Sequence, residues 1–337
     1  MPVNKVVFGG QTLIDLTSDT VSADKLAKGV TAHDKTGVQI TGTMESGGSE
    51  KYGATVDTFL GDVDASGVLQ TPTAQTDLVF GGVTDLANNA LYHRFYENPT
   101  VSSVSFPQLV QVTGKSALLS CFQNASLENI SFPVLQSVSG ASAFYNAFSG
   151  TSIQTISFPA LTTITGDFSD AFYGCKKITS ASFPALEEIT GNNTFYDCFA
   201  NCSALTSVSF PKLKKIGSDT TTSTNYRHFD GAFRSTKVTT LEFPELTAIY
   251  CTGTSSSWGT FYGNSTIQKM YFSKLTVIDK SPTYTGNSTS QNNIFVSCTK
   301  LTELHFGAAN QAAIEALPGY ATLWGRGAGN ATVYFDL

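Results

Sequence analysis

Apolar and polar positions recur along this chain with a period of 25 to 34 residues. A phenylalanine marks each cycle, at Phe106, Phe132, Phe158, Phe183, Phe210, Phe243, Phe272 and Phe306, and proline follows it in six of the eight. An aliphatic residue stands five positions before each phenylalanine, and another apolar residue stands two before it. Leucine stands three after it in seven cycles, and isoleucine or valine six after it. A second aromatic precedes it by ten or eleven positions, from Phe95 to Phe295. The step from the apolar residue at minus two to the phenylalanine is one alternation of a strand, so both face one side. Val208, Ser209 and Phe210 therefore read as a short strand with the serine outward. Pro211 ends its ladder, because proline has no amide to donate. The leucine and isoleucine columns return the chain along an opposite wall. Glycines after the isoleucine column, such as Gly166, Gly191 and Gly217, read as corners needing positive φ. The segment from Asp170 to Gly174 reads as one helical or 3₁₀ turn.

A single coil of this kind cannot bury its apolar side, but stacked coils form one continuous core. Eight coils with paired strands about 4.8 Å apart make a stack roughly 40 Å long. Phe80 precedes Phe106 by 26 residues, with Leu78, Val83 and Leu86 in the matching columns, so residues 76–90 read as an opening half coil. Runs such as LTSVSFPKLKKIG (205–217) and FYDCFANC (195–202) resemble the BspA type of leucine-rich repeat, over about residues 76–310. The resemblance implies a mainly β, right-handed solenoid with a curved sheet on one side. It also implies the setting of such repeats, in bacterial surface proteins and phage-associated proteins.

The first residues read differently. The segments VVFGGQTLIDL (6–16), TVSADKL (20–26), TAHDKTG (31–37) and ITGT (40–43) resemble a short module near the front of phage and prophage tail proteins. By residue pattern they predict strands over 5–8 and 12–16, a helix over 22–28, and a hairpin turning at Lys35, Thr36 and Gly37. The expected organisation is an attachment module over 1–44, of α+β or β type, then a linker and short β connector over 45–75. The solenoid follows over 76–310, and a helix–strand cap closes the chain over 311–337. No secretory apolar core opens the chain, so the expectation is a product made in the bacterial cytoplasm.

Composition narrows the function. Charged residues are 14% of the chain and the net charge is −6, which disfavours nucleic acid. No apolar run reaches the length of a membrane span. The six cysteines read as buried structural thiols, several of them in a small interior column. His33, His93, His228 and His305 are scattered, His33 in an expected turn and His305 at an outward strand position before Phe306, and no catalytic or phosphate-loop motif stands out. No cofactor or metal is expected, and no enzyme. The lengthened cycles place their extra residues in one phase, at 218–228, 251–260 and 280–293, and such insertions protrude along one edge of a solenoid. Tyr226, Arg227, His228, Trp258 and Tyr284 lie there among Ser, Thr and Asn, and are the candidate ligand-binding residues.

The resulting expectation is a non-catalytic phage or prophage tail-fibre-like protein of the virion. It would bind a host cell-surface receptor, glycan or protein, and attach to tail or baseplate proteins, as a homo-oligomer that analogy makes a trimer. The alternatives are a bacterial cell-surface adhesin and a polysaccharide-degrading tail spike.

Overall fold

A computed structural model describes residues 5–8, 11–15, 31–33, 35–36, 38–41, 76–191, 193–218, 227–250, 260–279, 294–317, 320 and 331–337. The chain divides into two compact units, Met1–Glu50 and Lys51–Leu337. In the first, Lys5–Phe8 pairs antiparallel with Gln11–Asp15, with an irregularity between Val6 and Val7, and Thr31–His33 pairs antiparallel with Gln39–Thr41. Lys35 and Thr36 form the turn of this second hairpin. His33 thus ends a strand and does not lie in a turn. The helix expected over 22–28 and the connector over 45–75 lie outside the described residues.

The second unit is a mainly β solenoid with three walls. The first wall is three short parallel sheets in which strands of neighbouring coils pair, as Thr155–Ser157, Ser180–Ser182 and Ser207–Ser209 do. Ile156, Ala181 and Val208 are in register along it, so alternate residues point to one core. The second wall is one seven-stranded parallel sheet from Gln111–Val112 to Val277–Asp279, with Ile164, Ile189, Ile216, Ile249 and Ile278 in register. Every phenylalanine of the repeat column is buried, from Phe80 to Phe306. Their rings stack coil upon coil, at centroid distances of 5.2 Å (Phe106–Phe132), 5.4 Å (Phe158–Phe183) and 5.6 Å (Phe272–Phe306).

The third wall departs from the expected helical turn. Asn89, His93, Glu97, Ser116, Ser120, Asn124, Ser142, Asn146, Asn193, Asp197 and Asn201 recur every fourth residue with positive φ, which no right-handed helix admits. Alternate amides close β-turns within the coil, as Tyr92 N–H does on the Asn89 carbonyl at 3.2 Å. The amides between them reach the next coil, as Leu91 N–H does to the Ala117 carbonyl at 2.8 Å. This turn wall has a rhythm of four, two residues in and two out, because each turn reverses the side-chain direction. It also carries an unforeseen phenylalanine column. Phe144, Phe168, Phe195 and Phe229 are fully buried and meet the first column edge-on, as Phe158 and Phe168 do at 79°.

Glycines of the corner after the second wall need proximity more than left-handed geometry. A Cβ on Gly166 would lie 2.6 Å from the Gly140 carbonyl oxygen, and one on Gly191 would lie 2.4 Å from that of Thr165. Gly217 alone of the three has the expected positive φ, +83°.

The small interior column is a polar ladder. Cys175, Cys202 and Cys298 direct their thiols at the carbonyls of Phe148, Phe172 and Phe261, at 3.1, 3.0 and 3.0 Å. Thr151 and Asn264 bond carbonyls in the same way. At the far end a 3₁₀ turn, Ala308–Asn310, leads into the helix Gln311–Glu315, and Thr332–Phe335 adds a parallel strand to Glu303–Phe306. His305 holds the outward strand position expected of it, yet it is covered. Its ring stacks between Tyr271 at 4.3 Å and Tyr334 at 4.6 Å.

Candidate functional site

Of the five candidate residues from the insertions, Tyr226, Trp258 and Tyr284 lie outside the described residues. Arg227 and His228 bound the return of the first insertion to the turn wall. The Arg227 guanidinium lies over the Tyr196 ring, 5.0 Å from its centre, and its Nε is 4.0 Å from Asp230 Oδ2. His228 is inside the wall, fully buried. Burial pushes its imidazole down to about 3, so it is neutral and out of reach of a surface ligand. A count back from Phe233 reveals why. His228 falls five before the wall phenylalanine, in the inward column that holds Ala90, Ala117 and Ala143 elsewhere.

The same count shows what the insertions concealed. The position three before each wall phenylalanine carries Tyr92, Tyr145 and Tyr196, while the position one after carries Tyr96, Tyr173 and Tyr262. Tyr92, Tyr96 and Tyr145 are 48%, 41% and 38% exposed, and of the other described aromatics Tyr334, on the last strand, is comparably exposed at 39%. Between Tyr145 and Tyr173 lies a groove of about 740 Å³, lined also by Gln123, Asn124, Asn146 and Asp170, with Lys176 and Lys177 at one side. The inter-coil bonds of the turn wall fix this lining. Ser149 Oγ donates to the Tyr173 carbonyl at 3.1 Å, and the Tyr173 hydroxyl accepts from Asn201 Nδ2 at 2.7 Å. Nothing lies within 4 Å of the place a Cβ on Gly174 would take, which leaves the groove open there.

The electrostatics of this face are acidic but partly neutralised. Burial, with Asp197 and Asp167 nearby, pushes the Asp170 carboxyl up to about 7 against the pull of Arg234. Burial likewise raises Asp230 to about 7, although Arg227 draws it down. Arg234 Nη2 donates to Asp197 Oδ1 at 3.0 Å. No group of three or more His, Cys, Asp or Glu among the described residues is arranged to hold a metal ion. Such a face offers rings, amides and one half-neutral carboxyl, suited to hydroxyl-rich ligands.

Residues 88–227 match the model of the BspA type leucine rich repeat region, in six copies. Over those residues the repeat is of the BspA type. Among solved structures, the BspA-type stack is similar to a leucine-rich repeat protein from Bacteroides ovatus, with 20% identity over 67% of this chain and 59% of that one, and a TM-score of 0.33. The pneumococcal vaccine antigen PcpA matches with 13% identity over 93% of this chain and 88% of that one, and a TM-score of 0.24. A leucine rich cell surface protein from Faecalibacterium prausnitzii matches with 12% identity over 81% and 91%, and a TM-score of 0.19. The match spans 59% of the Bacteroides ovatus protein, and no curated protein matches.

Proposed function

We propose that the protein is a non-catalytic adhesion protein, whose solenoid presents its turn wall to a receptor on a cell surface. The observation that carries this reading is the outward pair of columns on the turn wall, tyrosines and amides held on a backbone that every coil bonds to the next. Rigid aromatics on fixed elements lose little entropy on binding. Weak contacts of this kind gain strength when many copies sit on one particle or cell. Glycoside hydrolysis uses two carboxyl groups, and among the described residues lining the groove Asp170 is the one acid.

The finer placement we propose is a phage or prophage tail fibre, joined to tail or baseplate proteins through residues 3–43, and trimeric by analogy. The bacterial cell surface is the other placement, and the BspA repeat supports either. Incubation of the purified chain with candidate host cells and a glycan array tests adhesion. Binding without release of reducing ends is the expected outcome, and release would make it a depolymerising spike. Antibody detection in phage particles supports the tail placement, and detection in cell-wall fractions supports the surface placement.

A further inference from the structure

Tyr92, Tyr145 and Tyr196 occupy one outward column, and they do so on alternate coils. The intervening places hold Leu119, Ser169 and Asp230, of which Ser169 and Asp230 are buried. Large rings therefore alternate with side chains that keep low between them. Coils that pair strand to strand rise about 4.8 Å each, so rings on alternate coils recur every ~10 Å. That is the length of an extended disaccharide, in which every second sugar presents the same apolar face to the same side.

We propose that the turn wall is a track for a linear, uncharged polysaccharide, with the groove between Tyr145 and Tyr173 as its deepest subsite. The inference rests on the adhesion reading above and names its ligand. The Tyr145 ring supplies an apolar platform for the C–H face of a pyranose, while Tyr92 and Tyr96 each already stack one face on His93, at 4.3 and 5.4 Å. Asn124, Asn146 and Gln123 supply donors and acceptors in planar pairs that suit neighbouring hydroxyls. The groove volume of about 740 Å³ falls among small-ligand clefts. The preference for an uncharged sugar follows from charge placement. Asp170 is half-buried in the groove, with Asp167 and Asp197 beside it, whereas Lys176 and Lys177 are exposed and screened by solvent. At Tyr196 one ring face is already covered by Arg227, so that end of the track is narrower.

Isothermal titration of the full chain with cellohexaose and chitohexaose tests the proposal, beside the matching disaccharides and an acidic hexasaccharide, hexagalacturonate. The expected result is binding of a neutral hexasaccharide, weaker binding of its disaccharide, and none of the acidic one. Tyr145→Ala is expected to weaken binding about tenfold, with an unchanged melting temperature. Tyr250→Ala, on the second wall, is expected to leave it unchanged. Should Tyr173→Ala fail to fold for want of its bond to Asn201, Tyr145→Ala and Tyr92→Ala carry the test. Equal affinity for disaccharide and hexasaccharide overturns the track, and preference for hexagalacturonate overturns the uncharged class. If the chain adheres to cells but Tyr145→Ala adheres equally and no hexasaccharide binds, the inference falls while the adhesion reading stands. If it binds neither cells nor glycans, the adhesion reading falls with it.

Discussion

A phenylalanine in mid-stack touches rings on the coil before it and the coil after it. Phe158 lies 5.4 Å from both Phe132 and Phe183, and meets Phe144 and Phe168 edge-on. No neighbour can relax into the space it leaves without breaking register on its own coil. Phe158→Ala is therefore expected to lose about 3–5 kcal/mol in urea unfolding, and Tyr145→Ala less than about 0.5 kcal/mol. Two residues apart, His228 and Asp230 respond to pH in opposite senses. Asp230 is raised to about 7 in the fold and titrates near 4 when unfolded, so the folded chain binds the extra proton and stability falls as pH rises between those values. His228 is lowered to about 3 and titrates near 6.5 when unfolded, so stability falls as pH drops between those values. The two windows overlap between about pH 4 and 6.5, where the slopes oppose, so urea midpoints across that range are expected to rise with pH in Asp230→Asn and to fall with pH in His228→Gln. The column residues were legible because each writes its own phase. His228 was not, because an insertion before it hides the phase to any count that runs forward from Gly217.

At the level of elements, the two sheet walls were plain from alternation and proline, and the turn wall was not. Its inward phenylalanines recur every four residues, which imitates a helical period. The distinguishing signal is the residue between them. Ser116, Ser120 and Asn124, like Asn193, Asp197 and Asn201, are types that tolerate left-handed backbone, placed at every fourth position. Each such residue costs roughly 1 kcal/mol, offset by the bond its neighbour makes to the next coil. The corner glycines follow a separate rule. Gly191→Ala is expected to destabilise although its φ is ordinary, because the methyl would enter the Thr165 carbonyl. A melting temperature equal to that of the parent would show that the coils can separate at that corner.

For the solenoid as a whole, burial governs the thiols as well as the rings. Cys121, Cys175, Cys198, Cys202 and Cys298 are buried and free, and burial pushes the Cys298 thiol up to about 12. Iodoacetamide is expected to leave these five unlabelled in the native chain and to label all five in urea, as read by peptide mass mapping. Loss of residues 331–337 would strip the last strand from Glu303–Phe306 and bare Phe306, so that variant is expected to associate on size exclusion. The number of coils was legible because stacking repeats one rule. The outward tyrosine column was not, because its rings sit inside the regular repeat and on alternate coils only.

The two-in, two-out rhythm of the turn wall has an evolutionary consequence. Its outward pairs take no share in the ring stacks, so they are free to drift while the scaffold persists. A lineage can respell that face letter by letter while the stack persists, and duplication of one coil would extend it by a single increment.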